Sequence, residues 1–278
     1  MPTKQTARRK PEAGLRTSDV ESERRGGILL LTLARPDRRN SLSEAMLAAL
    51  QTAIDAAAQD EGVRAVVIAA KGSVFCAGHD LKELTAHRSD ADGGRAYTQK
   101  LMAQCAAFMQ SVVRCPKPVI AAVQGAALAA GCQLVATCDL AVAAEEAAFC
   151  TPGVNIGLFC STPMVALSRN VPRKRAMEML LLGEMLPARA AADYGLVNRV
   201  VPADQLMQEV MRLADAIASK PPATLAMGKE AFYLQSEMPL AQAYAYAAGV
   251  MVENMMHAES EEGIGAFLDK RPPVWGKS

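Results

Sequence analysis

The stretch Pro116–Asp139, PKPVIAAVQGAALAAGCQLVATCD, sets the tightest limit on how this chain can fold. Behind a proline pair, Val119–Val123 is a short apolar run with β-branched residues, the pattern of a buried strand. Gln124-Gly125 breaks it. From Ala129 the residues are small and helix-compatible, and Leu134 and Val135 can face a core. The expected shape is strand, Gly/Ala turn, then a helix whose first turn is Ala129-Ala130-Gly131-Cys132. The N–H groups of a first helical turn have no intrahelical partner, and small side chains leave them open to a ligand. With the helix dipole behind them they favour a negative oxygen. The same residues also suit tight helix–strand packing with no ligand at all.

The flanking segments alternate strand and helix, the pattern of an α/β layer fold. Strands are expected at Ile28–Ala34, Ala65–Ala70, Leu140–Ala143 and Val197–Val201. Ser43 with Glu44 opens a helix to about Gln59, with Met46, Leu47, Leu50 and Ile54 at helical spacing. A loop of small residues, Lys71–Asp80, follows the second strand, and a polar connection, Ser89–Gly94, precedes a helix over about 95–113. Residues 150–163 read as irregular. Helices are expected over about 163–169, 173–182 and 188–194. From Ala203 onward the chain reads as helix throughout.

Residues 1–26 read as a disordered basic tail. They carry Arg8-Arg9-Lys10 and Arg24-Arg25, but Glu12, Asp19, Glu21 and Glu23 interrupt them and no apolar face accompanies them, which argues against a targeting peptide. A net charge of +1 gives no global electrostatic case for nucleic acid or an acidic membrane. No run approaches the ~20 apolar residues of a membrane span. The seven cysteines form no C-x-x-C pair and the three histidines stand apart, so no metal site is expected. An odd cysteine count without a secretory signal argues for reduced thiols and a cytoplasmic protein.

Three segments, FCAGHDLKEL, PKPVIAAVQGAALAAGCQLVATCDLAVA and FCTPGVNIGLFCSTP, resemble the landmark segments of the enoyl-CoA hydratase/isomerase family, the crotonases. ARPDRRNSLS, LPARAAADYGLVNRVVP and EEGIGAFLDKRPPVW resemble its opening, later and closing segments, so the likeness covers about residues 27–275. The resemblance implies an α/β spiral of ββα turns over 27–200 and a C-terminal helical trimerisation region over 201–278. It implies a homotrimer or dimer of trimers. It implies an acyl-CoA ligand, with coenzyme A as part of the substrate and no separate cofactor. It implies that the backbone N–H groups of His79 and Ala130 form an oxyanion hole for the thioester oxygen, with the His79 side chain as pocket wall. It places Arg38, Ala77, Asp80, Leu81, Lys82, Ala126, Ala129 and Pro152 against the ligand, with Phe267 and Lys270 reaching it from a neighbouring subunit.

The sequence departs from the family pattern where hydratases carry two glutamates. One position is Gln133, in Gly131-Cys132-Gln133-Leu134; the other is Gly153, in Thr151-Pro152-Gly153. Hydration of an enoyl thioester needs a base to activate water and an acid to protonate the α-carbon. A buried carboxylate can do either. An amide offers hydrogen bonds without trading a proton near neutral pH, and glycine offers nothing. Cys150, Cys160, Ser161, Asn155 and His79 lie in matching pocket segments as substitutes, each also explicable by packing or loop capping. Asp139 reads as structural. Three functions fit: a lyase or isomerase acting through an enolate, a binding or regulatory protein that keeps the pocket without turnover, and a thioester hydrolase using water held by Gln133.

Overall fold

The computed structural model describes residues 19–275. β1 (Val20–Arg25) runs antiparallel to β2 (Ile28–Leu33). Ordered structure therefore begins inside the expected tail; residues 1–18 of that tail lie outside the described residues. The charge that suggests disorder belongs to an edge strand facing solvent: Glu23 pairs with Arg25 at 2.9 Å, Glu21 with Lys71 at 2.6 Å and Arg24 with Asp60 at 2.6 Å. α1 (Glu44–Gln59) follows, capped by Ser43, whose Oγ accepts the Met46 N–H at 3.1 Å.

The chain then repeats one manoeuvre three times. A long strand enters one sheet, a short strand enters a second sheet, and helix returns. The first round is β3 (Ala65–Ala70), β4 (Val74–Cys76), α2 (Leu81–Ala86) and α3 (Arg95–Arg114). The second is β5 (Val119–Val123), β6 (Ala126–Leu128) and α4 (Ala130–Thr137). The third is β7 (Leu140–Ala144), β8 (Ala148–Cys150), α5 (Pro163–Asn170) and α6 (Arg173–Leu182). β9 (Leu186–Pro187), α7 (Ala188–Asp193) and β10 (Arg199–Val201) close the body. The large sheet has the order β1-β2-β3-β5-β7-β10, parallel apart from β1; the small one has the order β4-β6-β8-β9. This is the ββα spiral.

The long strands are apolar on both faces because both faces are covered. Val66, Ile68, Val119, Ala121 and Val123 face the main core with α1 and α3. Ala65, Val67, Ile120, Ala122 and Val142 face Leu206, Val210 and Ala214 of α8 (Leu206–Ala218). α8 thus belongs to the body, and the helices that stand off it begin after residue 220. They are α9 (Pro222–Gln235), α10 (Leu240–Met256) and α11 (Ala258–Leu268). One part-buried ion pair ties them down. Lys229 Nζ donates to Asp139 Oδ2 at 2.7 Å and to the carbonyls of Val112 and Lys117. Asp139 also accepts from Tyr233 Oη at 2.9 Å and from the Val119 N–H at 2.7 Å. That set of bonds is the structural role expected of Asp139. No helix of the described residues is long and apolar enough to cross a membrane.

Candidate functional site

The site is assembled by main-chain stitching. Asn40 is fully buried, and its side chain accepts from the Arg35 N–H and donates to the carbonyls of Lys71 and Val74, at 2.8–2.9 Å. The turn carrying Arg38 is thereby pinned to the loop after β3. The Ala77 N–H donates to Arg39 O, the Leu42 N–H to Gly78 O and the Asp80 N–H to Leu42 O. The bridge between Leu42 and His79 uses the Gly78 carbonyl and the Asp80 N–H and leaves the His79 N–H out. Asp80 caps α2, accepting from the N–H groups of Lys82 and Glu83 at 2.9 and 3.3 Å.

The loop at 77–79 meets the start of α4. Gly78 has φ +89°, and a Cβ there would lie 2.9 Å from Ala129 Cβ and 3.3 Å from Ala130 N. Gly131 packs so closely on Cys76 that a Cβ would collide with its carbonyl oxygen. These glycines permit the approach of two backbones from different rounds of the spiral. Ala130 is the first residue of α4, where N–H groups lack intrahelical partners. Ala129 before it is held at φ 48°, ψ −116°, with its N–H on Cys150 O at 2.8 Å. Only four described non-glycine residues have positive φ: Arg39, Asn40, Ala129 and Lys270. Ala129 and Lys270 belong to the expected ligand set and Arg39 adjoins Arg38, as strain stored at a functional site would; Asn40 is the buried stitch beside them.

Gln133 is one turn beyond Ala130, only 5% exposed, and its Oε1 has no hydrogen-bond partner. His79 Nε2 is likewise buried and unpartnered, and burial pushes its pKa down to about 4. The His79 ring is therefore neutral across the physiological range. Pro152 and Gly153 open a 3-10 turn, Pro152–Ile156, at the end of β8. A Cβ on Gly153 would lie 2.5 Å from Leu158 O and 2.9 Å from Cys160 Sγ. A side chain at position 153 would thus meet the loop's own backbone.

Three of the five candidate substitutes, Cys150, Asn155 and Ser161, spend their side chains on backbone carbonyls. Cys150 Sγ donates to Gly183 O at 3.2 Å, and burial raises its pKa to about 11. Burial also raises Cys160. Asn155 donates to Gly183 O and Ser161 to Phe159 O. All seven cysteines are buried free thiols. Among the described residues no cluster of three or more His, Cys, Asp or Glu could hold a metal ion.

The fold gathers Ala77, His79, Asp80, Leu81 and Lys82 beside the Arg38 turn, and Ala126, Ala129, Ala130 and Gln133 beside Pro152 and Gly153 through the β6–β8 pairing. Arg38, Leu81 and Lys82 face solvent. Phe267, 82% exposed, lies near the C-terminal end of α11, and Lys270 follows that helix. A cavity of about 660 Å³ lies between α11 and the segment carrying Arg271, Val274 and Trp275, away from the loops. Sequence reading missed Asn40 as the stitch and Ala129 as the strained residue. Asparagine beside Arg39 is the one available signal, since Asn tolerates the left-handed region.

The enoyl-CoA hydratase/isomerase family model matches residues 23–278. Enoyl-CoA hydratase domain-containing protein 3, mitochondrial, of Rattus norvegicus is 46% identical over 265 residues, 95% of this chain and 86% of the relative. The crystal structure of enoyl-CoA hydratase from Mycobacterium smegmatis superposes with a TM-score of 0.88 at 52% identity, covering 93% of this chain and 99% of that one. That of human enoyl coenzyme A hydratase domain-containing protein 3 gives 0.88 at 46%, covering 92% and 100%. The vertebrate relatives are mitochondrial proteins, which overturns the expectation of a cytoplasmic one. Unpaired thiols mark a reducing compartment and do not tell one such compartment from another. On the match over nearly its whole length, the chain belongs to the enoyl-CoA hydratase/isomerase family.

Proposed function

We propose that this chain binds an acyl-CoA thioester with its carbonyl oxygen between the N–H groups of His79 and Ala130, and that it is not an efficient hydratase. One observation carries the reading: the loop of Gly78 and the first residue of α4 approach until a single Cβ would lie 3.3 Å from Ala130 N. Two N–H donors from different segments then serve one oxygen. They polarise the thioester and stabilise an enolate, an effect worth roughly 10²–10³ in rate per donor. Proton transfer is what the site lacks. Gln133 holds an amide where one carboxylate would stand, and Leu158 O fills the space of the other. General acid–base groups contribute roughly 10²–10⁴ each, so ordinary hydration falls by ~10⁴ or more.

Arg38 and Lys82 suit the phosphates of coenzyme A. Phe267 and Lys270 reach the ligand from a second copy. α10 has no buried residue within one chain, and Leu240, Tyr244, Met251 and Met256 are all more than half exposed. Such a face fits a homotrimer, alone or paired. The test compares butyryl-CoA with its thioether analogue S-butyl-CoA, which lacks the carbonyl oxygen. Two hydrogen bonds worth ~0.5–1.5 kcal/mol each make the thioester bind roughly 5–150-fold tighter. Equal affinities would remove the oxyanion site.

A further inference from the structure

The segment that follows α11 is built as a strap. The helix closes with two crossed bonds: the Lys270 N–H donates to Phe267 O at 3.2 Å and the Arg271 N–H to Ala266 O at 3.0 Å. This closure needs a left-handed residue at position 270, where glycine is usual. Lysine stands there instead, at φ 54°, although a side chain makes that conformation costly. The reversal turns residues 271–275 back along the helix they have just left. Glu262, on the helix itself, holds them. Its carboxylate accepts from Arg271 Nη1 and Nη2 at 2.7 and 2.8 Å and from the Val274 N–H at 2.8 Å. Trp275 ends the strap over Gly263, where a Cβ would lie 3.1 Å from the indole ring.

The cavity of about 660 Å³ lies between strap and helix, so the hold comes from the bonds to Glu262 and the contact at Trp275 more than from close packing. A lone exposed ion pair holds little. A forked Arg–carboxylate pair that also takes a backbone N–H fixes direction as well as distance. Ending a helix does not require such a clamp, since glycine at position 270 would end it without strain. The clamp is explained if position 270 must carry a side chain in a fixed direction. That side chain is a cation; it is exposed, and no carboxylate pairs with it among the described residues. We propose that Glu262 is a positioning residue: by clamping the strap to α11 it aims the Lys270 ammonium at the phosphates of a coenzyme A held by a second copy.

This rests on the reading above that Lys270 reaches the ligand of a second copy, and the experiment separates the two. Butyryl-CoA affinity is measured by calorimetry for the full chain, Lys270→Ala, Glu262→Gln, Gly263→Leu, and Lys270→Ala combined with Glu262→Gln. Trp275 is the chain's one tryptophan, so its fluorescence reports the strap directly. Lys270→Ala is expected to weaken binding roughly 10–150-fold, the loss of a hydrogen bond between charged groups. Glu262→Gln is expected to shift the Trp275 emission to longer wavelength and to weaken binding roughly 5–30-fold, the entropy of fixing one residue's backbone. The sign is diagnostic, because removing a negative charge near an anionic ligand would by Coulomb's law tighten binding. Gly263→Leu unseats Trp275 with no change of charge and is expected to act in the same direction. In the Lys270→Ala background Glu262→Gln is expected to cost nothing further. Unchanged or tighter binding in Glu262→Gln, beside a normal loss in Lys270→Ala, overturns this inference and leaves the placement of Lys270 standing. A loss from Glu262→Gln that persists in full without Lys270 marks a merely structural role and overturns it too, as does weaker binding with the Trp275 emission unmoved. No loss in Lys270→Ala overturns the placement of Lys270 and this inference with it. Should Glu262→Gln fail to fold, Gly263→Leu takes its place, alone and combined with Lys270→Ala.

Discussion

Gly153→Ala tests whether the fold leaves room for any side chain at the proposed second carboxylate position. The added Cβ would lie 2.5 Å from Leu158 O and 2.9 Å from Cys160 Sγ. The thiol can be trimmed, but the carbonyl is backbone and can yield only by moving the 3-10 turn. Overpacking of this kind costs ~1–3 kcal/mol, and a backbone obstacle puts it in the upper half, about 2–3 kcal/mol. For a chain of this size that lowers Tm by roughly 4–12 °C. Gly157 in the same loop is the control. It has φ +79° and open space where a Cβ would go, so Gly157→Ala meets only the left-handed penalty, ~1–2 kcal/mol. Cys160→Ala added to Gly153→Ala should restore only part of the loss. Thermal melts at fixed protein concentration measure all three. A Gly153→Ala protein within about 0.5 kcal/mol of the parent would refute the steric argument. A folded Gly153→Glu variant with restored crotonyl-CoA hydration would refute it functionally.

Asp139→Ala leaves Lys229 buried without its counter-ion and two further donors unpaired, so a loss of about 3–5 kcal/mol is expected by denaturant titration; a loss under 1 kcal/mol would mean the α9 anchor lies elsewhere. Ala129→Gly relieves a strain of ~1–3 kcal/mol and adds ~0.5–1 kcal/mol of unfolded-state entropy, giving a net gain of roughly 0–2 kcal/mol, where an ordinary Ala→Gly change would destabilise. His79 is held at about 4 in the fold against an ordinary value near 6.5. Between those values the unfolded chain takes up the proton and the folded chain does not, so stability is full above pH 6.5 and falls as pH drops toward 4, by at most about 3 kcal/mol. His79→Phe should flatten that part of the stability profile, and an unchanged slope would assign it to other groups.

The long strands and most helices were legible because their signals are local. Val119–Val123 and Ala65–Ala70 are apolar runs of strand length, and the helix from Glu44 carries its cap and its periodicity in sequence. The second sheet was not. β4, β6 and β8 have three residues each and β9 two, too short for a period, and they read as turns between strand and helix. β1 was hidden by charge, since edge strands facing water look like tails. The site divides in the same way. FCAGHD and AALAAGC announced two small-residue turns, but that Gly78 and Ala130 meet depends on sheet pairing between rounds of the spiral. The proposed replacement of both glutamates rests on the sequence alone, at Gln133 and Gly153. That Leu158 O crowds position 153 depends on the path of an irregular loop, which has no sequence period.

Crotonyl-CoA tests the centre of this reading on a single sample. Binding is followed by calorimetry, and hydration by loss of the enoyl absorbance at saturating ligand. The expected result is saturable binding with turnover at or below ~10⁻³ s⁻¹, which is an ordinary rate of ~10 s⁻¹ reduced by about 10⁴ for two missing proton-transfer groups. Turnover near 10 s⁻¹ would show that a residue other than Gln133 or Gly153 carries the proton, and no detectable binding would show that the junction of Gly78 with Ala130 is packing alone.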